Sequence, residues 1–376
     1  MLISLILIAI LITVWFIRRK SIARCWRIIL FGLSTLSDGR SKIVRLFTGK
    51  IETIDTNFND NDQELTLRIY QPAKSQSPLP AIIIYHGASP KGFEHPAMNL
   101  LARNMARLGI RVFLPELPKL QQLYFNTETY PRIIRIFNMV AEKSDVITNK
   151  ILIMGVSFSG GIIVKASTET EIEPAGVVSF GSYFNLADTM KFFFTGKARF
   201  KTTELNITPH EYTKAVWFWN YLQLLDLPFE TDSVQPCIGH FIRDESEQVE
   251  LTFLKCSPEQ RSFLKQVFDP RDRSMLHYYN SIEARFSDST ARISPCTVID
   301  KIRCPAFIVH GIHDNMVPYT QALEFIAALE KAGKEYYYYI MHSYAHSKAA
   351  KSSIFEFARE IKHLYIFLTR LLIPLE

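Results

Sequence analysis

The sequence predicts an α/β fold in which a mostly parallel β-sheet is covered by helices on both faces. The first observation behind this prediction is that short apolar runs alternate with amphipathic helical patterns from residue 51 to residue 372. The second is that inner runs such as Ala81–Tyr85 are continuously apolar, which is typical of strands buried on both faces.

The individual elements follow from these patterns and from the turn residues between them. Strands are predicted at Ile51–Phe58, Glu64–Gln71, Ala81–Tyr85, Ile110–Leu114, Ile151–Met154, Ala175–Phe180, Pro305–His310 and Glu335–Met341. Helices are predicted at Ala97–Leu108, Pro131–Lys143, Thr320–Lys331 and Ser352–Leu372. A long insertion interrupts the alternation between the sixth and seventh strands. We therefore expect an N-terminal segment (1–50), a core made of 51–184 and 301–376, and a cap or lid made of 185–300.

The composition excludes several classes of protein. A chain of 376 residues with 48% hydrophobic and 21% charged residues can build one large domain with an insertion, or two domains. The 5 cysteines are an odd number without metal-ligand spacing, which argues against a zinc site and a secreted disulfide framework. Nine Lys or Arg against one acid give residues 1–50 a charge of +8, more than the +6 of the whole chain. The remainder is thus slightly acidic, which argues against a nucleic-acid surface.

The basic residues of the N-terminal segment directly follow an apolar stretch, Leu2–Ile17, whose polar side chains are only Ser4 and Thr13. As a helix this stretch would be about 24 Å long, somewhat less than the ~30 Å hydrocarbon core of a bilayer. Because flanking side chains can extend to the membrane interface, a single membrane anchor is predicted, with a cleaved signal peptide as the alternative. The positive-inside rule would leave the large domain in the cytosol. Residues 22–33 mix apolar and basic side chains, which fits either a helix at the lipid headgroups or a plain linker.

A strand, a sharp turn and a helix are predicted around Ser157. The apolar run of the strand stops at Gly155, and a helical pattern restarts after Gly160 and Gly161. This layout is typical of a nucleophile elbow, in which the residues two before and two after the serine must be small. Ser159 stands where the common G-x-S-x-G pattern has glycine, and an ordinary Gly/Ser turn is the alternative interpretation. Ser157 is the candidate nucleophile.

This succession of elements, with His86-Gly87 before the turn and further polar motifs after it, resembles the α/β-hydrolase family over residues 51–185 and 300–372. The resemblance implies the α/β-hydrolase fold and a triad in the order Ser, Asp, His. Asp314 is the candidate acid, because 310–318 is similar to the family's H-G-x-x-D-x-x-V-P. A helix N-cap ahead of the proline is the alternative role for Asp314, and Asp188, just past the sixth strand, is the fallback acid.

Two histidines follow the eighth strand. His346 is preferred as the base, because the family's histidine usually lies a few residues into this loop, whereas His342 abuts the strand and is the fallback. The pair lacks the glutamate of an H-E-x-x-H zinc motif, and neither a metal nor a cofactor is expected.

The oxyanion of an acyl-transfer reaction needs two backbone N–H donors. The family places one on the residue after the nucleophile, which is Phe158 here, and one in the loop after His86-Gly87, on Ala88 or Ser89. We expect His86 to support this loop structurally.

The predicted insertion is rich in aromatic residues, namely Phe192, Phe193, Phe194, Trp217, Phe218, Trp219, Tyr221, Tyr278 and Tyr279. They could form its core, or they could line an apolar pocket above the nucleophile. With the anchor, the second interpretation predicts a membrane-bound serine hydrolase that cleaves lipophilic esters through an acyl-enzyme, with the bilayer and the ester as its partners. A thioesterase or peptidase with the same triad, or a catalytically inactive scaffold at the membrane, is the alternative.

Overall fold

The computed structural model describes residues 19–35, 37, 39–61, 63–73, 77–125, 127–342 and 354–376, with side chains from residue 359 onward in the last range. The strands are β1 (Ile51–Asp60), β2 (Gln63–Pro72), β3 (Leu79–Tyr85), β4 (Arg111–Pro115), β5 (Val146–Val156), β6 (Gly176–Phe180), β7 (Lys197–Phe200), β8 (Thr203–Asn206), β9 (Ala306–Gly311) and β10 (Tyr336–Met341). The helices are α1 (residues 19–35), α2 (Lys42–Thr48), α3 (Pro96–Ala106), α4 (Pro118–Gln121), α5 (Thr129–Ala141), α6 (Phe158–Ala166), α7 (Leu186–Thr195), α8 (Tyr212–Tyr221), α9 (Val234–Ile242), α10 (Ser246–Lys255), α11 (Pro258–Phe268), α12 (Leu276–Arg292), α13 (Thr320–Lys331) and α14 (Ile354–Leu372).

The main sheet has the strand order β1-β2-β4-β3-β5-β6-β9-β10. From β4 to β10 all neighbouring strands are parallel, whereas β1 pairs antiparallel with β2, and β2 with β4. The predicted fold class, a mostly parallel sheet with helices, is therefore confirmed.

The inner strands bury both faces, as their continuous apolar runs predict. In β3, Ile83 and Tyr85 contribute to the core that contains the α5 and α6 side chains Ile136 and Ile162. Ile82 and Ile84 point to the opposite core, which includes side chains of α3 and α14. The period of two along a strand thus assigns neighbouring residues to different layers.

The segment between β6 and β9 contains α7 to α12 and the antiparallel hairpin of β7 and β8. Its aromatic side chains pack on one another: Phe194, Trp217, Phe218 and Tyr279 are each 0% exposed, and the rings of Phe194 and Trp217 meet edge to face at 4.9 Å. These residues form the interior of the insertion, so they do not supply the apolar pocket that one interpretation of the sequence predicts.

None of the helices in the described ranges is both long and apolar enough to cross a bilayer. The stretch Leu2–Ile17, on which the predicted anchor depends, lies outside the described residues.

Candidate active site

Ser157 sits in a strained turn at the carboxyl end of the central strand β5. Its φ of 54° and ψ of −125° lie in a region that costs a non-glycine residue on the order of 1–3 kcal/mol. The Ser157 N–H donates to the carbonyl of Phe180 at 2.8 Å, which fixes the turn to the neighbouring strand. α6 begins at the next residue, Phe158. This strand–turn–helix arrangement directs the serine side chain away from the sheet edge, as a nucleophile requires.

Gly155 is required for this turn. A Cβ atom on Gly155 would lie 2.6 Å from the backbone carbon and oxygen of Ser159, a distance that real Cβ atoms do not adopt. Gly87 approaches from β3 in the same way, since its Cβ would lie 2.9 Å from the Cβ of Ser157. Backbone therefore surrounds Ser157 closely on two sides.

Ser159, the departure from the G-x-S-x-G pattern, fits the elbow through its hydroxyl group. The side chain is fully buried. Its Oγ lies 2.8 Å from the carbonyl oxygen of Tyr85 and accepts the N–H of Val156 at 3.0 Å. It thereby links the end of β3 to the end of β5, and the hydroxymethyl group is accommodated without displacing Ser157.

Asp314 is held as a buried carboxylate after β9. Its Oδ1 accepts the N–H groups of Met316 and Val317, both at 2.9 Å. Its Oδ2 lies 3.4 Å from Nε2 of His310 and 3.7 Å from the position of a Cβ on Gly181, the residue after β6. The carboxylate therefore lies above the end of β6, the strand adjacent to the one that carries Ser157. Asp314 caps this turn but not a helix, because α13 begins at Thr320 with Tyr319 at its N-cap position. The alternative role of a helix N-cap is therefore wrong, and the role of catalytic acid stays a prediction.

His310 supports this carboxylate. It is buried, and its Nε2–H donates to the carbonyl of Val317 at 2.9 Å. His310 thus links β9 to Val317, at the far end of the loop that holds Asp314.

The two candidate bases lie on either side of the boundary of the described residues. His342 directly follows β10, is exposed, and its backbone N–H donates to Oε1 of Glu360 on α14. His346 lies outside the described residues. Three strand spacings of about 4.8 Å separate β10 from β5, so a histidine held at the end of β10 starts about 14 Å from the nucleophile strand.

The fallback acid Asp188 lies in the first turn of α7, next to other carboxylates. Loss of solvent and the nearby charge of Glu283 raise the pKa of Asp188. Burial and the charge of Asp188 likewise raise the pKa of Glu324 to about 7. A carboxylate in this environment is less suited than Asp314 to stabilise a histidinium ion. The described residues contain no cluster of His, Cys, Asp and Glu side chains that could hold a metal ion.

His86 shapes the loop expected to supply the second oxyanion donor. Its Nδ1–H donates to the carbonyl of Gly87 at 2.8 Å, and its Nε2 accepts the N–H of Leu117 at 3.2 Å. Burial lowers the pKa of His86 to about 4, so the ring is neutral at pH 7. The Ser89 N–H donates to the carbonyl of Leu120 at 3.1 Å. No described residue accepts a hydrogen bond from the N–H of Ala88, which makes Ala88 the better donor of the two.

The insertion clamps the residue after the nucleophile. The ring of Phe158 stacks on Phe125 at 4.4 Å between centroids. The Phe125 N–H donates to Oδ1 of Asn220 on α8 at 2.6 Å, and Trp219 Nε1 donates to the carbonyl of Gln122 at 3.0 Å. Sequence reasoning did not find these contacts, because the two hydrogen bonds join residues more than 90 positions apart, the stack joins residues 33 positions apart, and no local pattern marks them.

The insertion also contacts the loop of the acid. The N–H of His210 donates to the carbonyl of Asn315 at 2.9 Å. Both sides of the Ser157 environment are therefore bonded to the insertion.

These elements and their order form the α/β-hydrolase fold. An acylaminoacyl peptidase in complex with Z-Gly-Gly-Phe-chloromethyl ketone is similar over 86% of this chain and 41% of its own, with 15% identity and a TM-score of 0.50. The acylaminoacyl peptidase of Pyrococcus horikoshii, in an orthorhombic crystal form and uncomplexed, is similar over 88% and 91% of this chain and 43% of its own, with 16% identity and a TM-score of 0.50 in both cases. The chain thus spans about two fifths of the length of these peptidases, and the likeness is one of fold.

A sequence profile of the prolyl oligopeptidase family matches residues 273–373. This stretch includes Asp314 and both candidate histidines but not Ser157. A search of curated proteins found no match to the chain.

Proposed function

We propose that this protein is a serine hydrolase that cleaves amide bonds of short peptides through an acyl-enzyme on Ser157. The observation that carries the proposal is the strained turn that holds Ser157 next to β6, together with the buried carboxylate of Asp314 above the same strand. An acyl-transfer enzyme needs a serine aimed at the substrate, a histidine that accepts its proton and a carboxylate that orients the histidine. The match to the prolyl oligopeptidase family supports the amide bond as the target.

The base in this proposal is His346. It follows the last residue of β10 by five positions in the sequence, a chain length sufficient to span β9 and β6, whereas His342 is tied by its backbone to Glu360. Removal of the base should abolish turnover, so His346→Ala should be inactive and His342→Ala active. The opposite result would make His342 the base.

The oxyanion donors are the N–H groups of Phe158 and Ala88. The backbone around both N–H groups is constrained. Phe158 follows the strained Ser157, and Ala88 lies in the loop whose Gly87 carbonyl accepts a hydrogen bond from His86. Each donor of such a pair contributes about 3–4 kcal/mol of transition-state stabilisation.

Cleavage of a lipophilic ester is the second candidate function. The burial of Phe194, Trp217, Phe218 and Tyr279 weakens one argument for it, but the apolar stretch Leu2–Ile17 still predicts a membrane anchor with the large domain in the cytosol. Protease protection of the large domain in intact cells tests that topology. The bond specificity is tested separately, with an N-acyl-dipeptide p-nitroanilide and p-nitrophenyl esters as substrates.

A fluorophosphonate probe tests whether Ser157 is an activated nucleophile. It should label the folded protein, and Ser157→Ala should abolish the labelling. Turnover of the anilide by the wild type and not by Ser157→Ala would support a peptidase. Turnover of esters alone would favour the second candidate, and a folded protein without labelling would leave the inactive scaffold as the remaining hypothesis.

A further inference from the structure

Two short helices outside the sheet expose stripes of large apolar side chains. On α1 these are Ile22, Trp26, Ile29 and Leu33, spaced by four, three and four residues, so that they lie on one side of the helix. On α2 they are Ile43, Leu46 and Phe47, of which Leu46 is 80% exposed. We call these seven side chains the apolar face.

The opposite side of both helices is already packed on the domain. Ile28 and Leu30 of α1 are buried, and Val44 of α2 is 0% exposed. Ser34 donates to Oδ1 of Asn104 on α3 at 2.6 Å, and Arg24 forms an ion pair with Glu376. Because these residues make the contacts of α1 and α2 with the rest of the domain, the side chains of the apolar face are left exposed to solvent.

The stripes of the two helices form one continuous patch. The rings of Trp26 and Phe47 meet edge to face, with centroids 5.1 Å apart. This aromatic contact joins the exposed stripes of the two helices. A contiguous exposed patch of large apolar side chains is typical of an interaction site.

Exposed basic residues lie between and beside the residues of the apolar face along α1, α2 and the segment that joins them. The exposed basic residues of this region are Arg19, Lys20, Arg27, Arg40, Lys42, Arg45 and Lys50. The only acidic residue between positions 19 and 50 is Asp38. No carboxylate of the described residues forms an ion pair with Lys20, Arg27 or Lys42. The charges of Lys20, Arg27 and Lys42 are therefore available to an anionic partner.

We propose that the apolar face, with its rim of cations, seats the domain on the surface of an anionic lipid bilayer. Apolar and aromatic side chains with Lys and Arg beside them are what a helix in the headgroup region requires. The chain itself gives a second argument: the apolar stretch Leu2–Ile17 ends two residues before α1, so this end of the domain lies next to whatever that stretch binds. The proposal rests on the proposed membrane attachment and adds a second, independent contact to it.

The test uses the full-length protein with a fluorescent reporter on the face. Leu46→Cys is labelled with an environment-sensitive fluorophore, and Leu254→Cys, a 66% exposed leucine on α10 of the insertion, is the control. The parent protein, labelled in parallel, gives the signal of the native cysteines. Each sample is mixed with vesicles of phosphatidylcholine and phosphatidylserine that contain brominated lipid, and its flotation with the vesicles is measured at the same time.

The proposal expects a blue-shifted, bromolipid-quenched signal at position 46 and none at position 254. Flotation without quenching at position 46 would overturn the seated face but leave the anchor standing, whereas absence of flotation would overturn both. A blue shift without bromolipid quenching that grows with protein concentration would assign the face to a second copy of the chain and also overturn the proposal.

The charged rim is tested by Lys42→Gln in the Leu46→Cys background. Each cation near an anionic surface strengthens binding by about fivefold, so the ratio of quenched to unquenched label should fall by that factor. Lys255→Gln, an exposed lysine on α10, is the control and should leave the ratio unchanged. Equal quenching in vesicles of phosphatidylcholine alone would contradict the role of the cations.

Discussion

The hydroxyl group of Ser159 should stabilise the fold rather than burden it, although the position commonly holds glycine. Ser159→Ala removes the acceptor of the half-buried Val156 N–H and the donor to the buried Tyr85 carbonyl. Each buried polar group left without a partner costs about 1–3 kcal/mol. We therefore expect Ser159→Ala to lower the free energy of unfolding by about 2 kcal/mol. Ser159→Gly should lower it by about 1 kcal/mol more, because glycine is also a poor helix residue.

The assay is urea unfolding followed by circular dichroism, combined with fluorophosphonate labelling. Ser157→Ala is the matched control in the same turn: it should abolish labelling and change the unfolding midpoint little, whereas Ser159→Ala should keep labelling and lose stability. If Ser159→Gly were more stable and faster to label than the wild type, the hydroxymethyl group would be crowding the elbow, and our account of Ser159 would be wrong.

Three further predictions concern the rest of the site. Asp314→Asn should lower kcat by about 10³–10⁴-fold, since it no longer orients the base, but should unfold at nearly the wild-type urea concentration, because the amide oxygen still accepts the same N–H groups; a large loss of stability would contradict this. Because the pKa of His86 is lowered to about 4, the unfolded chain takes up this proton at higher pH than the folded one. Its contribution to stability is complete above about pH 6.5 and should fall by about 3 kcal/mol as the pH drops to about 4; His86→Gln, followed by thermal unfolding across this range, should lack that component. Asn220→Ala should slow labelling of Ser157, because it removes the acceptor of the Phe125 N–H and so loosens the stack of Phe125 on Phe158. An unchanged labelling rate would show that the insertion does not affect the reactivity of Ser157.

The fold could be predicted from the sequence because its signals are local. The apolar runs of β3 and β9 and the glycine near the end of β5 each lie within a few residues of the feature that they specify. The predicted strand boundaries were less accurate where pairing with a neighbouring strand determines the end of the strand. β5 begins at Val146, before its apolar run, because Val146 pairs with Leu79 across an irregular register.

One helix start was misplaced for a physical reason. The proline at position 131 suggested the first residue of α5, but the helix begins at Thr129. Proline lacks an N–H, and any of the first residues of a helix tolerates this, because their N–H groups have no acceptor within the helix. A proline in the sequence therefore locates the first residue of a helix only to within about one turn.

The candidate site was predictable in its motifs but not in its supports. Gly155, Ser157 and Asp314 lie in short patterns that reflect local geometry. The bond from Ser159 to Tyr85 crosses 74 positions and the bond from Asn220 to Phe125 crosses 95, so that only the folded chain brings these residues together.

The contacts of the insertion bear on which substrates the site accepts. Asn220 holds Phe125 against the residue after the nucleophile, and His210 holds the loop that carries Asp314. A bulky substrate that displaced the insertion would break both bonds and disturb the serine turn and the acid together. Under the proposed function, a substrate that enters while these bonds remain intact would be a short, narrow chain and not a folded protein. The constraint acts on the shape of the substrate and not on the bond that is cleaved, so it applies equally to a peptide and to an ester.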